Sequence, residues 1–292
     1  MQDNNMFYLG IDIGGTNIKV GLFNNYGRLI QSYKIPTPSN NIFYFLKLSF
    51  LEHEFDLEYC VGIGIGVPCP IKDNVILYAP NINLSVGINL EEEFQKLLNK
   101  KIKICFYNDA NLAALGEYYK SNIKGIAYFI TLGTGVGGAL IVNGNIIEGV
   151  AGLTGEIGHI QIDAKKKKVC GCGGNKHIES YIGVKGTISR FNELSFTKVS
   201  DIKEIKNLLD KGSKEVLILL NEYVSYLQQL LDIINKVVNP DDFIFGGGLT
   251  DAFGDVILPL IKEKMPSINI RKASLGNEAG FYGAYYLLTK NK

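Results

Sequence analysis

Residues 10–23, GIDIGGTNIKVGLF, decide the fold class because they read as two β-strands joined by a glycine turn. Apolar residues alternate with polar or small ones on both sides of the GGT triplet, which is typical of strands that meet at a tight turn. The first of these two strands extends back to residue 7. A third strand-like run, RLIQSYKI (28–35), follows after the turn residues NNYG. Three successive strands with short connections predict an antiparallel meander at the start of the chain.

Strand-like and helix-like segments follow one another through the rest of the chain. The predicted strands are CVGIGIGV (60–67), IKICFY (102–107), a pair within 126–142, DFIFGG (242–247) and SINI (267–270). The predicted helices are 42–54, about 89–98, NDANLAALGEYY (108–119), 213–238, one after DFIFGG, and a last helix from about Gly276. This pattern predicts a mixed α/β protein. We expect a small α/β lobe at 1–107, completed by the C-terminal helix at about 276–292, and a large α/β lobe at 108–275.

Composition narrows the class of protein. The 292 residues are 46% hydrophobic and 20% charged, which is typical of a globular protein with a substantial core. The net charge of +1 provides no basic surface that would attract a nucleic acid, so we expect no nucleic-acid partner.

Two segments bear on targeting and on membranes. The start of the chain, MQDNNMFYLG, lacks the basic residues of a signal peptide. Residues 125–147 are uncharged, but their six glycines divide them into short apolar runs, so two strands joined by a turn fit better than a spanning helix. We therefore expect a cytoplasmic protein without a membrane partner.

Glycine is concentrated in four clusters that follow strand-like runs. They are DIGGT (12–16), GTGVGG (133–138), GGG (246–248) and GNEAGFYGA (276–284). Glycine at such places lets backbone N–H groups approach a phosphate, although for any one cluster a simple turn explains the pattern equally well. GTGVGG matches the dinucleotide fingerprint in letters, but a strand follows it where the fingerprint requires a helix. The two Gly/Thr hairpins suggest a nucleotide held between two lobes.

The five cysteines form two groups. Cys60, Cys69 and Cys105 are scattered singly, and the first and third lie at or near apolar runs, as small buried side chains do. Cys170 and Cys172 lie one residue apart in KKKKVCGCGGNKHIES (165–180). This odd, scattered set makes a disulfide framework improbable.

The segment 165–180 raises the question of a metal site. It also contains one of the chain's three histidines, His177, and a second, His159, lies just upstream in GEIGH. Cysteine and histidine are the preferred ligands of zinc. The four lysines at 165–168 are typical of a solvated hairpin tip and imply no partner.

Five motifs together resemble those of one family. GIDIGGTNIKVGLF (10–23), YNDANLAALGE (107–117), TLGTGVGGALIVNG (131–144), GEIGH (155–159) and CGCGGNKHIE (170–179) occur in the order found in the ROK sugar kinases. The resemblance extends from residue 8 to residue 288. It implies the two-lobed actin/hexokinase-like (ribonuclease H-like) ATPase fold, with the active site in a central cleft between two α/β lobes related by duplication.

The resemblance implies ATP and Mg²⁺ as cofactors. The positions that match the first phosphate hairpin are Asp12, Gly14, Gly15, Thr16 and Lys19, and those that match the second are Thr131, Gly133, Thr134 and Gly135. On the adenine side it implies FGGGL, with Gly247 and Gly248, and the GNEAG segment of the last helix.

The YNDANLAALGE motif contains the implied catalytic base. Without the resemblance, Asn108 or Asp109 would be read as an ordinary helix cap. The resemblance makes Asp109 the group that accepts the proton of a sugar hydroxyl as it attacks the γ-phosphate, and the helix N-terminus is expected to keep its carboxylate ionised. The implied sugar contacts are Asn81, Asn108, Asp109, Glu156, His159 and Glu179.

The family's metal motif is C-x-C-G-x-x-G-C-x-E with an upstream histidine. This chain keeps the first two cysteines and the glutamate, but has Lys176 in place of the glycine and His177 in place of the third cysteine. The resemblance therefore implies a structural zinc bound by His159, Cys170, Cys172 and His177. The metal would hold the loop so that His159 and Glu179 face the sugar. The alternative is a decayed site that binds no metal.

The resemblance leaves some functions open and disfavours others. Some relatives of this kind are repressors with an N-terminal DNA-binding domain, for which the early start of the hairpin at Asp12 leaves no room. Acetate- and glycerol-type kinases lack the GEIGH and cysteine motifs. We expect phosphorylation of the 6-hydroxyl of glucose, with N-acetylmannosamine as the main alternative and fructose or N-acetylglucosamine also open. A homodimer is expected.

Overall fold

The computed structural model describes residues 6–69, 71–77, 79, 82–84, 86–87, 89–150 and 152–289. These residues form two compact units. Unit 1 contains the described residues up to Asn122 together with those from Asn277 onward, and unit 2 is Ile123–Gly276. The division follows Asn122, whereas the sequence suggested one near residue 108.

The strands form one five-stranded sheet in each unit and a small two-stranded sheet. In chain order they are β1 (Phe7–Ile13), β2 (Asn17–Asn24), β3 (Leu29–Pro36), β4 (Cys60–Val67), β5 (Ile71–Lys72), β6 (Val75–Ile76), β7 (Lys103–Asn108), β8 (Ile126–Leu132), β9 (Val136–Val142), β10 (Asn145–Ile147), β11 (Asp242–Gly246) and β12 (Ile270–Lys272). The sheet of unit 1 has the order β3-β2-β1-β4-β7, and that of unit 2 has the order β10-β9-β8-β11-β12.

Both sheets have the same topology. In each, the first three strands are an antiparallel meander, and the fourth and fifth strands run parallel to the first. The meander predicted for the start of the chain is therefore present and occurs a second time in unit 2. The repeated strand order supports the duplication that the resemblance implied.

The helices connect and cover these strands. In chain order they are α1 (Ile42–Glu52), α2 (Leu90–Leu98), α3 (Asp109–Lys120), α4 (Glu179–Ile182), α5 (Val184–Leu194), α6 (Ile202–Asp210), α7 (Lys214–Val237), α8 (Gly248–Lys264) and α9 (Ala279–Thr289). Apolar side chains of α1 and α2 join those of β1, β2, β4 and β7 in the largest core cluster of unit 1. The core of unit 2 contains the buried side chains of α5, α7 and α8.

Two strand predictions have clear outcomes. Residues 125–147 were predicted to form two strands joined by a turn; they form strands rather than a helix, but three of them, β8, β9 and β10. No helix among the described residues has the length and apolar character needed to cross a bilayer. The last strand was predicted at 267–270 but forms at Ile270–Lys272. The reason is local: Ile268 N donates to Met265 O at 3.3 Å, so these residues form a turn, and pairing with β11 begins only at Ile270.

Glycines allow α9 to lie very close to α3 and to the sheet of unit 1. A Cβ atom on Gly10 would overlap Phe281 O, one on Gly64 would overlap Ala284 O, and one on Gly283 would overlap Leu112 O. Because α3 and α9 pack backbone to backbone, α3 belongs to unit 1. This contact explains why the division follows Asn122.

Replacing Gly283 by Ala is expected to destabilise unit 1 strongly. The added methyl group would meet the carbonyl of Leu112, a backbone atom that cannot turn aside, so the cost should be at least the ~3 kcal/mol of severe overpacking. Gly254→Ala in α8 is the matched control, because its nearest neighbour is the methyl Cγ2 of Thr250 at 3.2 Å. Thermal unfolding of the two variants compares them directly. Equal melting temperatures would contradict this account of α9 packing.

Candidate functional site

The first glycine hairpin, between β1 and β2, presents charged groups beside exposed backbone. Asp12 on β1 pairs in register with Lys19 on β2, and Lys19 Nζ lies 3.1 Å from Asp12 Oδ2. Gly14 N donates to Asn17 O at 3.0 Å, which closes the turn. Gly15 and Thr16 at its tip are exposed. The five residues assigned to this hairpin therefore lie together, with Gly15 and Thr16 exposed at the tip and the partly buried Asp12–Lys19 pair on the adjoining strands.

Asp109 lies in the same unit, at the start of α3. The preceding residue, Asn108, is the N-cap, and its side chain accepts a hydrogen bond from Asn111 N at 3.2 Å. Asn108 Nδ2 also donates to Cys69 O at 3.4 Å. Asp109 Oδ1 accepts from Ala110 N at 2.8 Å. The cap is thus Asn108, and Asp109 is the first helical residue.

The pKa of Asp109 is raised from 3.8 to about 6. Burial is the main cause, and the negative charge of Asp12 adds to it, whereas the hydrogen bond from Ala110 N and the charge of Lys19 act in the opposite direction. The sequence suggested that the helix N-terminus would keep this carboxylate ionised. Burial raises the pKa in spite of the helix N-terminus, but only to about 6. Asp109 is therefore still ionised at neutral pH and takes up a proton near pH 6, a range suited to a general base.

Asp109→Asn is expected to raise the melting temperature at pH 7.5 and to leave it nearly unchanged at pH 4. The folded pKa of about 6 exceeds the ordinary aspartate pKa of 3.8, so ionised Asp109 destabilises the fold above pH 6, whereas protonated Asp109 does not below about pH 4. A neutral amide removes that cost only where the wild type is ionised. Differential scanning fluorimetry at the two pH values measures the difference. A shift of equal size at both would contradict the raised pKa.

Cys69 is a residue of this site that the sequence did not suggest. Its carbonyl holds Asn108, and its thiol is buried and has a pKa raised to about 11 by burial and by the charge of Asp109. The thiol is therefore protonated and unreactive at neutral pH. The group that positions Asn108 is the backbone carbonyl of Cys69, and every residue has such a carbonyl, so the sequence could not single this one out. Asn81, the remaining predicted sugar contact of this part of the chain, lies outside the described residues.

The predicted metal ligands of unit 2 lie in one cluster. The ligand atoms of His159, Cys170, Cys172 and His177 all lie within 4.8 Å of one another. The Nδ1 atom of His159 lies 3.8 Å from Cys170 Sγ and 3.7 Å from Cys172 Sγ, and Cys172 Sγ lies 3.2 Å from His177 Nδ1. Ligands about 2.0–2.3 Å from a tetrahedral ion lie roughly 3.3–3.8 Å apart, so this donor set fits zinc.

The backbone around the cluster forms a tight hairpin. Cys170 N donates to Gly174 O at 2.8 Å, and Gly173 N donates to Cys170 O at 2.9 Å. A Cβ on Gly174 would overlap the ring of His177, so this glycine provides the space that the imidazole occupies. Lys176 has the left-handed backbone conformation (φ 56°), which explains why glycine suits the family's motif at that position.

Two of the predicted sugar contacts lie beside the cluster. His159 directs Nδ1 to the cysteine sulfurs, and its Nε2 atom lies 3.7 Å from Glu156 Oε2. Both side chains are exposed. His159 can therefore bind a metal through one ring nitrogen and a polar group through the other.

The third predicted sugar contact, Glu179, faces the β8–β9 turn (residues 133–136). Its Oε2 atom accepts a hydrogen bond from Val136 N at 3.1 Å, and a Cβ on Gly135 would overlap it. Gly133 N donates to Gly135 O at 3.0 Å within the turn, and Thr134 is exposed at its tip. Thr131, also assigned to the phosphates, lies just before the turn on β8.

A cavity of about 700 Å³ opens beside this turn within unit 2. Gly133 and Thr134 form one wall, and Gly248, the first residue of α8, forms another. Gly247, the N-cap of α8, has φ 91° and offers no side-chain cap, so the first N–H groups of the helix can bind an anion. The lining also includes residues of α6 that the sequence did not suggest: Ile202, Lys203, Lys206 and Asn207.

Two predicted segments make contacts that the sequence did not suggest. In GNEAG, which stays a predicted adenine-side segment, Gly280 packs against Asp12, and a Cβ there would lie 2.7 Å from Asp12 Cγ. This glycine therefore serves packing inside unit 1. Of the four lysines at 165–168, Lys168 is only half exposed and its ammonium lies 5.4 Å from the centre of the Tyr181 ring, so the run is more than a solvated tip.

The chain is similar to known proteins over nearly its whole length. The model of the ROK family matches residues 8–291. A glucokinase from Halalkalibacterium halodurans is 31% identical, over 98% of this chain and 96% of that protein. The N-acetyl-D-glucosamine kinase from Salmonella typhimurium is 30% identical, over 96% of this chain and 98% of that protein. Among solved structures, a ROK family glucokinase from Streptomyces griseus in complex with glucose and AMPPNP is 25% identical, with a TM-score of 0.74 over 96% of this chain and 98% of that one.

These matches cover the chain almost from end to end. The related proteins are named as kinases that act on hexoses or on an N-acetylhexosamine, and the solved structure has the mixed α/β fold of the actin-like ATPases. The motifs, the two sheets of equal topology and the family match agree with one another. The chain therefore belongs to the ROK family and is a sugar kinase.

Proposed function

We propose that this sugar kinase transfers the γ-phosphate of ATP to the 6-hydroxyl of a hexose, with glucose as the first candidate and Asp109 as the general base. The observation that supports this most directly is the carboxylate of Asp109, whose pKa of about 6 lets it accept a proton at neutral pH. Asn108 is held beside it by the carbonyl of Cys69 and can donate an amide hydrogen to the sugar.

The proposed mechanism involves no covalent bond between the protein and the transferred phosphoryl group. Phosphoryl transfer passes through a loose transition state, so positioning and the neutralisation of charge supply most of the rate. Asp109 accepts the proton of the attacking hydroxyl as the oxygen bonds to phosphorus and the bond from phosphorus to ADP breaks. Lys19, whose Nζ lies 3.1 Å from Asp12 Oδ2, also places a positive charge near the carboxylate of Asp109.

We propose that each unit contains a turn suited to a nucleotide phosphate. In unit 1 the β1–β2 turn, with Gly14, Gly15 and Thr16, offers backbone N–H groups. In unit 2 the β8–β9 turn, with Thr131 and residues 133–135, offers them as well. The cavity of about 700 Å³, with Gly247 and Gly248 at its helix N-terminus, accommodates the nucleoside. Mg²⁺ prefers carboxylate and water oxygens, and Asp12, which lies on β1 just before the first phosphate turn, is the carboxylate proposed to hold it.

We also propose that His159, Cys170, Cys172 and His177 hold a structural zinc ion. The spacing of their ligand atoms supports this, and the four protein ligands leave no open position for catalysis. When bound, the ion supplies only rigidity to the loop. Glu156, Glu179 and the free Nε2 of His159 are the groups of unit 2 proposed to bind sugar hydroxyls.

The sugar itself is best identified by a direct assay. The glucokinase and N-acetylglucosamine kinase relatives are almost equally similar to this chain, so glucose and an N-acetylhexosamine, including N-acetylmannosamine, are both candidates. A coupled assay of ADP release against glucose, fructose, mannose, N-acetylglucosamine and N-acetylmannosamine compares their kcat/KM. We expect glucose to give the highest value. A higher value for either N-acetylhexosamine would replace glucose in this proposal, and no turnover of any sugar would contradict it.

A further inference from the structure

We infer that the Cys/His cluster controls nucleotide binding as well as sugar binding, and that Glu179 is the positioning residue that connects the two. This inference rests on the zinc and nucleotide sites proposed above. The sequence assigned Glu179 to the sugar alone. Its contacts connect it to the β8–β9 turn on one side and to the cluster on the other.

The carboxylate of Glu179 packs directly against the β8–β9 turn. Its Oε2 atom accepts from Val136 N at 3.1 Å and would be overlapped by a Cβ on Gly135. A Cβ on Gly158 would also approach it, to 3.3 Å. Gly135 thus leaves room for this carboxylate, whose charged hydrogen bond fixes the backbone at the end of the turn.

The residues after Glu179 hold the other end of the same turn. Val184 N donates to Gly133 O at 3.0 Å. A Cβ on Gly183 would lie 2.9 Å from Thr134 O, so the backbone of Gly183 packs directly on the tip of the turn. Residues 133–136 are therefore held at both ends, by Glu179 at the start of α4 and by Gly183 and Val184 just after that helix.

The same helix begins at the cluster. His177 is two residues before Glu179, and Ser180 N donates to His177 O at 3.0 Å. Ile178 N donates to Ile160 O at 3.0 Å, next to His159. Cys170 Sγ lies 3.9 Å from Glu179 Oε1. A displacement of the metal ligands therefore moves Glu179 and the start of α4.

The consequence concerns the affinity for the donor nucleotide. Backbone N–H groups bind phosphate only when the turn has a fixed conformation, and here the side chain of Glu179 and the backbone of Val184 fix it. A protein without its metal should leave this turn less ordered. Metal and nucleotide should then favour each other's binding, with a coupling in the usual range of about 5–150-fold.

The test is the affinity of MgADP measured by calorimetry without sugar. Zinc-loaded protein should bind MgADP at least about tenfold more tightly than chelator-treated protein or the His177→Ala variant, the latter providing a second route to the metal-free state. Glu179→Ala should bind MgADP weakly whether or not zinc is present, so the effect of the metal should disappear. Glu179→Gln keeps a side-chain oxygen that can accept from Val136 N and should restore much of the coupling.

Glu263→Gln is the control, because Glu263 is an exposed residue of α8 in the same unit, has no proposed role and has no hydrogen bond to residues 133–136 among the described residues. Its MgADP affinity should still depend on zinc. Elemental analysis of each variant reports the metal content independently of activity. Equal MgADP affinity with and without zinc in the wild type, a zinc effect that persists in Glu179→Ala, or purified protein without zinc would each overturn the inference. These results concern MgADP affinity and zinc content, so they would not change the conclusion about hexose phosphorylation, which the sugar assay tests. Conversely, if no sugar were turned over, the calorimetric comparison could still be made.

Discussion

Asp109→Asn is expected to lower kcat by at least about 10²-fold while the affinity for the sugar changes little, which is the usual scale for losing a general base. The amide is nearly isosteric and can still accept from Ala110 N, so the start of α3 should keep its shape. What the variant lacks is a group that can take up the hydroxyl proton. Steady-state kinetics together with calorimetric titration of the sugar separate the two effects, and near-normal turnover would remove Asp109 from the mechanism.

Asp56→Asn is the control for this substitution. Asp56 also accepts a backbone hydrogen bond at the start of a helical turn, from Glu58 N at 3.0 Å, but it is exposed and plays no proposed part in the chemistry. It should keep the wild-type kcat. In the wild type, kcat/KM should fall by one order of magnitude for each pH unit below about pH 6, because only the ionised form of Asp109 accepts the proton.

Purified protein is expected to contain about one zinc ion per chain, and His177→Ala is expected to lose it. His177→Cys should retain the metal, since a thiolate is an equally good ligand and restores the family's third cysteine. His53→Ala provides the control, because this third histidine lies in unit 1, where it stacks on Tyr33 with the ring centres 3.5 Å apart. Elemental analysis of the four proteins distinguishes this arrangement from a decayed site, which predicts no zinc in any of them.

Much of the fold follows from local pattern. The alternation around GGT and the apolar run CVGIGIGV correspond to β1, β2 and β4 because buried strands need this composition whatever surrounds them. The last strand was placed too early, since Ile268 is apolar for a different reason: it is buried at the end of a turn. A short apolar run does not reveal which of its residues pairs with a neighbour.

The site was less accessible to sequence reasoning, for a physical reason. The glycines of GTGVGG and GNEAG cannot be told apart in the sequence, but their neighbours in the structure differ. Gly135 makes room for the carboxylate of Glu179, and Gly280 makes room for Asp12. Which atom fills the space depends on contacts between residues far apart in the chain. The same holds for Lys203 and Lys206, which reach the cavity only because α6 lies near the start of α8.

The place of α9 has a consequence for how the protein is made. Unit 2 is a continuous segment, Ile123–Gly276, so it can complete its core as soon as those residues leave the ribosome. Unit 1 cannot complete its core at that stage, because Gly10, Gly64 and Gly116 pack directly against the backbone of α9, which is synthesised after all of unit 2. The half that contains Asp109 should therefore remain open to proteases and chaperones during translation, and its stability should be acquired in a single late step when α9 docks.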